Sequence, residues 1–138
     1  QEEPELIVCM GDTLTHLDSL AHVHSLLKNV YRALGGSGRL ILAFRDLTAE
    51  MKDLERFIPV RSDDNLIFTC FLEYEKKHVK VHDIVYEKTG GQWQMKKSFY
   101  RKLRIPPEWT RDCLLGIGFE IQTFDIQSGM VTLTARKG

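Results

Sequence analysis

The feature that most constrains this chain is a strand–helix–strand pattern packed into its first forty-five residues. Leu6-Ile7-Val8-Cys9-Met10 is a short apolar run without alternation, which predicts a strand buried on both faces of a parallel sheet. Asp18 or Ser19 can cap a helix. Leu20, Val23, Leu26, Leu27, Val30 and Leu34 then recur at spacings of three and four, one apolar stripe. Gly35-Gly36-Ser37-Gly38 ends the helix, with glycine expected in a left-handed cap. Arg39 to Phe44 is a second buried strand, released into Arg45-Asp46-Leu47-Thr48. Two strands joined by such a helix form a right-handed crossover and run parallel. Their carboxyl ends share one rim, where ligands of such sheets bind. Gly11, Asp12, Thr13 and His16 therefore stand on the same edge as Arg45 and Asp46.

The middle of the chain has another texture. A short helix is expected over Ala49 to Phe57, stopped by Pro59. Asn65 to Tyr74, His78 to Lys88 and Gln92 to Lys102 read as three antiparallel strands, broken at Glu75-Lys76-Lys77 and Thr89-Gly90-Gly91. Pro106-Pro107 opens a helix with Trp109, Cys113, Leu114 and Ile117 as its buried stripe and Gly118 as its cap. Phe119 to Phe124 and Gly129 to Ala135 are the closing strands. Their link is too short for a parallel crossover, so they pair antiparallel. The fold class is α/β, with a three-stranded antiparallel segment inserted at 59–104 between two parts of one domain, 1–58 and 105–138.

Composition excludes several functions. Nineteen basic and nineteen acidic residues balance, so no bulk field favours nucleic acid or an anionic membrane. Lys96-Lys97 with Arg101, Lys102 and Arg104 reads as a solvated strand face. Cys9, Cys70 and Cys113 have no CxxC spacing and read as core thiols of a reducing, cytoplasmic compartment. His22 and His24 diverge on a helix; His78 and His82 share a strand face without a third ligand, so they read as surface residues and no metal is expected. Trp93 and Trp109 read as core. No apolar run reaches the ~18 residues of a membrane helix. The sequence opens at Gln1, without Met and almost directly in a strand, which implies an excised segment.

Three stretches, in order, resemble the carboxyl-terminal half of a Rossmann-like S-adenosylmethionine-dependent methyltransferase. PELIVCMGDTLTHL resembles the fourth strand and its loop, YRALGGSGRLILAF the helix end and fifth strand, and LLGIGFEIQTF with GMVTLTARKG the last helix and closing pair. CMGDTLTHL is most similar to the corresponding loop of glycine and sarcosine N-methyltransferases, roughly Leu-Gly-Asn-Ser-Phe-Ala-His-Leu. The resemblance implies that Met10 and Gly11 lie beside the cofactor's methionine end. It matches Thr13 to a substrate-binding serine, His16 to a histidine, and Arg45 to an arginine that receives a substrate carboxylate. Asp12 replaces an asparagine, and a carboxylate there would favour a cationic or amine acceptor. Asp12 and His16 are the candidate bases, and Tyr100 is a candidate acceptor contact from the inserted strands.

The family's cofactor loop, glycine-rich and opening a helix after the first strand, has no counterpart here. Gly35-Gly36-Ser37-Gly38 precedes a strand instead. The amino-terminal half is thus expected to be absent, leaving a fragment inactive alone, with a small-molecule methyl acceptor as substrate and an exposed strand edge that favours self-association. The inserted strands would form a lid or an oligomer contact. The competing reading is a non-catalytic assembly module that holds a partner on its antiparallel sheet.

Overall fold

A computed structural model describes residues 2–138; Gln1, at which the sequence opens, lies outside them. The described residues form two units, 2–48 with Leu103–Gly138, and Ala49–Lys102.

In the first unit, β1 (Leu6–Cys9) and β2 (Arg39–Arg45) pair in parallel, from Leu6 opposite Arg39 to Cys9 opposite Leu42. β8 (Met130–Lys137) lies antiparallel on the other side of β2, and β7 (Phe119–Gln127) antiparallel beyond it. The sheet order is β1-β2-β8-β7. Ser19 caps α1 (Leu20–Ala33), its hydroxyl accepting the His22 N–H at 3.2 Å. Pro107 opens α2 (Pro107–Ile117). The core joins Val23 and Leu27 of α1 and Leu114 of α2 to Leu40, Leu42, Phe44, Val131, Leu133 and Ala135. The register puts those six sheet residues on one face. Each fully buried aliphatic side chain there contributes about 2 kcal/mol by transfer from water.

Two expectations are corrected in this unit. β1 is buried on one face only: Ile7 and Cys9 pack against the core, while Leu6, Val8 and Met10 are 46%, 49% and 50% exposed. The helices lie on the Ile7 and Cys9 side, and among the described residues no strand pairs beyond β1. Nor does a glycine cap α1. Leu34 leaves the helix extended, and the left-handed residue of the turn is Ser37, at φ 66°. Gly38 is required for space instead, since a Cβ there would stand 2.9 Å from the Gly35 carbonyl oxygen and from Leu34 Cδ2.

The second unit is a four-stranded sheet in the order β3-β4-β5-β6: β3 (Phe57–Ser62), β4 (Leu66–Tyr74), β5 (His78–Thr89) and β6 (Gln92–Leu103). Three strands were expected here, with a short helix over Ala49 to Phe57 ahead of them and no element assigned to most of β3. Only a 3-10 turn, Asp53–Arg56, precedes β3. Pro59 is tolerated because β3 is an edge strand, where a missing N–H need cost no ladder bond, and the register slips between Pro59 and Arg61. Gly90 and Gly91, at φ 59° and 77°, turn β5 into β6 with the two positive φ angles a tight hairpin prefers. One ring from each strand makes a continuous row: Phe57 to Phe71 at 4.5 Å, Phe71 to His82 at 5.7 Å, His82 to Phe99 at 5.9 Å. His82 is thus a buried residue, 6% exposed, with Nε2 3.4 Å from Glu73 Oε1. Trp93, expected in the core, is 45% exposed. None of the described helices is long and apolar enough to cross a membrane.

Candidate functional site

β1 ends at Cys9 and the chain turns back through two left-handed residues, Gly11 at φ 67° and Asp12 at φ 66°. A Cβ on Gly11 would meet nothing within 4 Å, so glycine serves the backbone angle there and leaves open space beside the strand end. A 3-10 turn, Thr13–His16, follows, anchored by Leu14 in the core. Thr13 Oγ1 donates to the Met10 carbonyl at 2.9 Å, and the buried Thr15 donates from Oγ1 to the Asp12 carbonyl at 2.8 Å. The loop satisfies its own carbonyls and holds its shape.

A side-chain bond joins this loop to the neighbouring strand. Asp12 Oδ1 accepts the Arg45 backbone N–H at 2.9 Å. The next amide, that of Asp46, points to the opposite side and donates to the Gly129 carbonyl at 2.8 Å. Asp46 Oδ1 accepts both the amide and the hydroxyl of Thr48. Arg104, read from sequence as part of a solvated strand face, is half-buried. Its Nε donates to the Leu47 carbonyl and its Nη2 to the Thr48 carbonyl, both at 2.9 Å. It holds the segment leaving β2.

Met10, Gly11, Asp12, Thr13, His16 and Arg45 thus belong to one rim of the first unit, as the parallel crossover requires. Asp12 is half-buried and the other five are exposed. Tyr100 belongs to the second unit, on β6, at 39% exposure. The sequence shows Thr15 in the polar cluster after Gly11 and Arg104 in a basic cluster, but not the bonds that each makes. Thr15 sits three residues after Asp12, a spacing that suits a hydroxyl bonding back to a carbonyl. Arg104 falls between two apolar residues as β6 ends. The rim offers a guanidinium for an anion, hydroxyl and carboxylate acceptors for a donor, and an imidazole for a proton. Among the described residues no group of three or more His, Cys, Asp or Glu is placed to hold a metal.

Gly35 to Gly38 stand at the start of β2, and Arg45 at its end. Seven residue steps run from Gly38 to Arg45, roughly 23 Å at ~3.3 Å per residue. Gly38 is packed against Leu34, and the glycine turn stands at the far end of β2 from the rim.

No family model matches the sequence, and no curated protein matches it. Solved structures do. The CcbJ methyltransferase from Streptomyces caelestis aligns with a TM-score of 0.81 at 13% identity, over 99% of this chain and 59% of its own. CalS10 from Micromonospora echinaspora, an amino pentose methyltransferase solved with S-adenosylmethionine bound, aligns at 0.80 and 11% identity, over 97% and 58%. The sugar N-methyltransferase KedS8 from Streptoalloteichus aligns at 0.72 and 10%, over 97% and 56%. At these identities the likeness is one of fold: the chain has the architecture of S-adenosylmethionine-dependent methyltransferases and spans under three fifths of the length of each.

Proposed function

We propose that this chain is the carboxyl-terminal part of an S-adenosylmethionine-dependent methyltransferase acting on a small-molecule acceptor. The observation that carries this is the rim itself. Loop residues after β1 and Arg45 at the end of β2 are joined by the Asp12 bond, on an architecture shared with such enzymes. Relatives of fold that are an amino pentose and a sugar N-methyltransferase support a nitrogen acceptor on a small polar molecule. The loop's likeness to glycine and sarcosine N-methyltransferases adds an acceptor that carries a carboxylate.

The residues present fit one end of the cofactor and not the whole of it. Gly11 leaves open space beside Met10, suited to the methionine end, and Gly35 to Gly38 fit no part of it. When bound, S-adenosylmethionine supplies an electrophilic methyl group. Positioning and exclusion of water dominate such a transfer, and those tasks fall to this chain. Thr13 gives its proton to the Met10 carbonyl, so toward an acceptor N–H its hydroxyl oxygen acts as the hydrogen-bond acceptor. Arg45 receives the acceptor carboxylate through its planar fork. His16 is the base that takes a proton from an amine arriving charged. Asp12, the other residue read from the sequence as a base, gives one oxygen to the Arg45 amide, so the proton transfer is assigned to His16 and the placing of the loop to Asp12. Free thiols at Cys9, Cys70 and Cys113 support a cytoplasmic setting.

Calorimetry on this chain tests the partial fit. Affinity for S-adenosylmethionine weaker than micromolar is expected, and micromolar binding would overturn it. In the complete protein, Arg45→Ala should raise KM for a carboxylate acceptor about 30-fold, as loss of a bidentate charge-assisted pair costs about 2 kcal/mol. An unchanged KM removes Arg45 from the site.

A further inference from the structure

We infer that Asp12 is a positioning residue: its carboxylate oxygen replaces the strand that β1 no longer provides beside Arg45, and so fixes the loop of Thr13 and His16 to the end of β2. β1 pairs with β2 only as far as Cys9 opposite Leu42, three residues short of Arg45. Consecutive amides of a strand point to opposite sides. The Asp46 amide meets Gly129 on the β8 side, so the Arg45 amide points to the side β1 has left. Asp12 Oδ1 fills that position at 2.9 Å. Asp12 holds a left-handed backbone there, at φ 66°, a region that residues with a Cβ seldom adopt. The bond is also long-range, across 33 positions.

What the Arg45 amide needs is an acceptor oxygen, which an asparagine side chain presents in the same place. The residue at 12 therefore does not report the charge of the acceptor. The expectation that a carboxylate there selects a cationic substrate gives way to a mechanical role. The clamp stands on geometry alone; its bearing on the acceptor rests on the methyltransferase reading above.

Two variants and two readouts separate these. Asp12→Asn keeps an acceptor, whereas Asp12→Gly removes it and relieves the left-handed angle, so a loss in the glycine variant is not backbone strain. In 15N-resolved spectra of this chain, the Arg45 amide should keep its position and exchange protection in Asp12→Asn. In Asp12→Gly it should shift upfield and exchange about tenfold faster, the loss of one hydrogen bond. Equal protection in the wild type and Asp12→Gly overturns the inference. In the complete protein, Asp12→Asn should retain at least ten times more kcat than Asp12→Gly, with the loss in kcat rather than KM. If asparagine fails as badly as glycine, the charge itself is at work and the inference falls. If the amide behaves as expected while the unaltered complete protein transfers no methyl group, the clamp stands and the methyltransferase reading falls.

Discussion

Cys70 shows how its surroundings set a residue's chemistry. Burial comes first, and the Asp83 carboxylate, accepting its S–H at 3.2 Å, adds to it; together they push the thiol up to about 11. In the unfolded chain the thiol begins to ionise near its ordinary value of 9.0, while the folded chain holds the proton. Above that value the unfolded state binds fewer protons, so stability falls as pH rises from about 9 toward about 11. The urea midpoint should decline over that window, and less steeply in Cys70→Ala. Alkylation of Cys70 at pH 8 should be slow, because the thiolate is the nucleophile. At this scale the sequence was informative about residue type and rim, and silent about partners. Asp12, Thr13, His16 and Arg45 could be gathered from the crossover rule. The Arg45 amide as the target of Asp12 could not, since the bond spans 33 positions and depends on where β1 stops. Arg104 was misread for a similar reason, its acceptors lying 57 and 56 residues away.

Elements were legible where burial leaves a periodic trace. The stripe of α1 appears in the sequence because its core contacts recur every turn, and Val23 and Leu27 are fully buried in it. Leu27→Ala should cost about 3 kcal/mol by transfer and cavity terms, read from urea unfolding. Lys28→Ala, one position on and exposed, should change stability by less than about 0.5 kcal/mol. Equal effects would mean the packing described for α1 is wrong. β3 left no such trace. All six of its residues are exposed, so no face alternates, and Pro59 argues against a strand unless the edge position is known. The turn at Gly35 to Gly38 misled differently. Glycine there answers to the closeness of Leu34, and packing distances are not written in a sequence.

The first unit has an open border. β1 stands at the end of its sheet with Leu6, Val8 and Met10 exposed on one face, and an unpaired apolar edge invites another strand. We expect this chain to self-associate. Light scattering at about 100 µM should show a dimer or larger species, and Val8→Lys should shift it toward monomer without loss of helicity. A monomeric wild type at that concentration would count against the edge as an adhesive surface. The position of β8 carries one more consequence. It lies between β2 and β7, yet the whole second unit is translated before it. The strands of the second unit neighbour one another in sequence order and can zip as they emerge, whereas β2 must wait for a distant partner. A nascent chain therefore passes through an interval in which its hairpins are closed and α1 rests on half a sheet, an interval whose duration the ribosome sets.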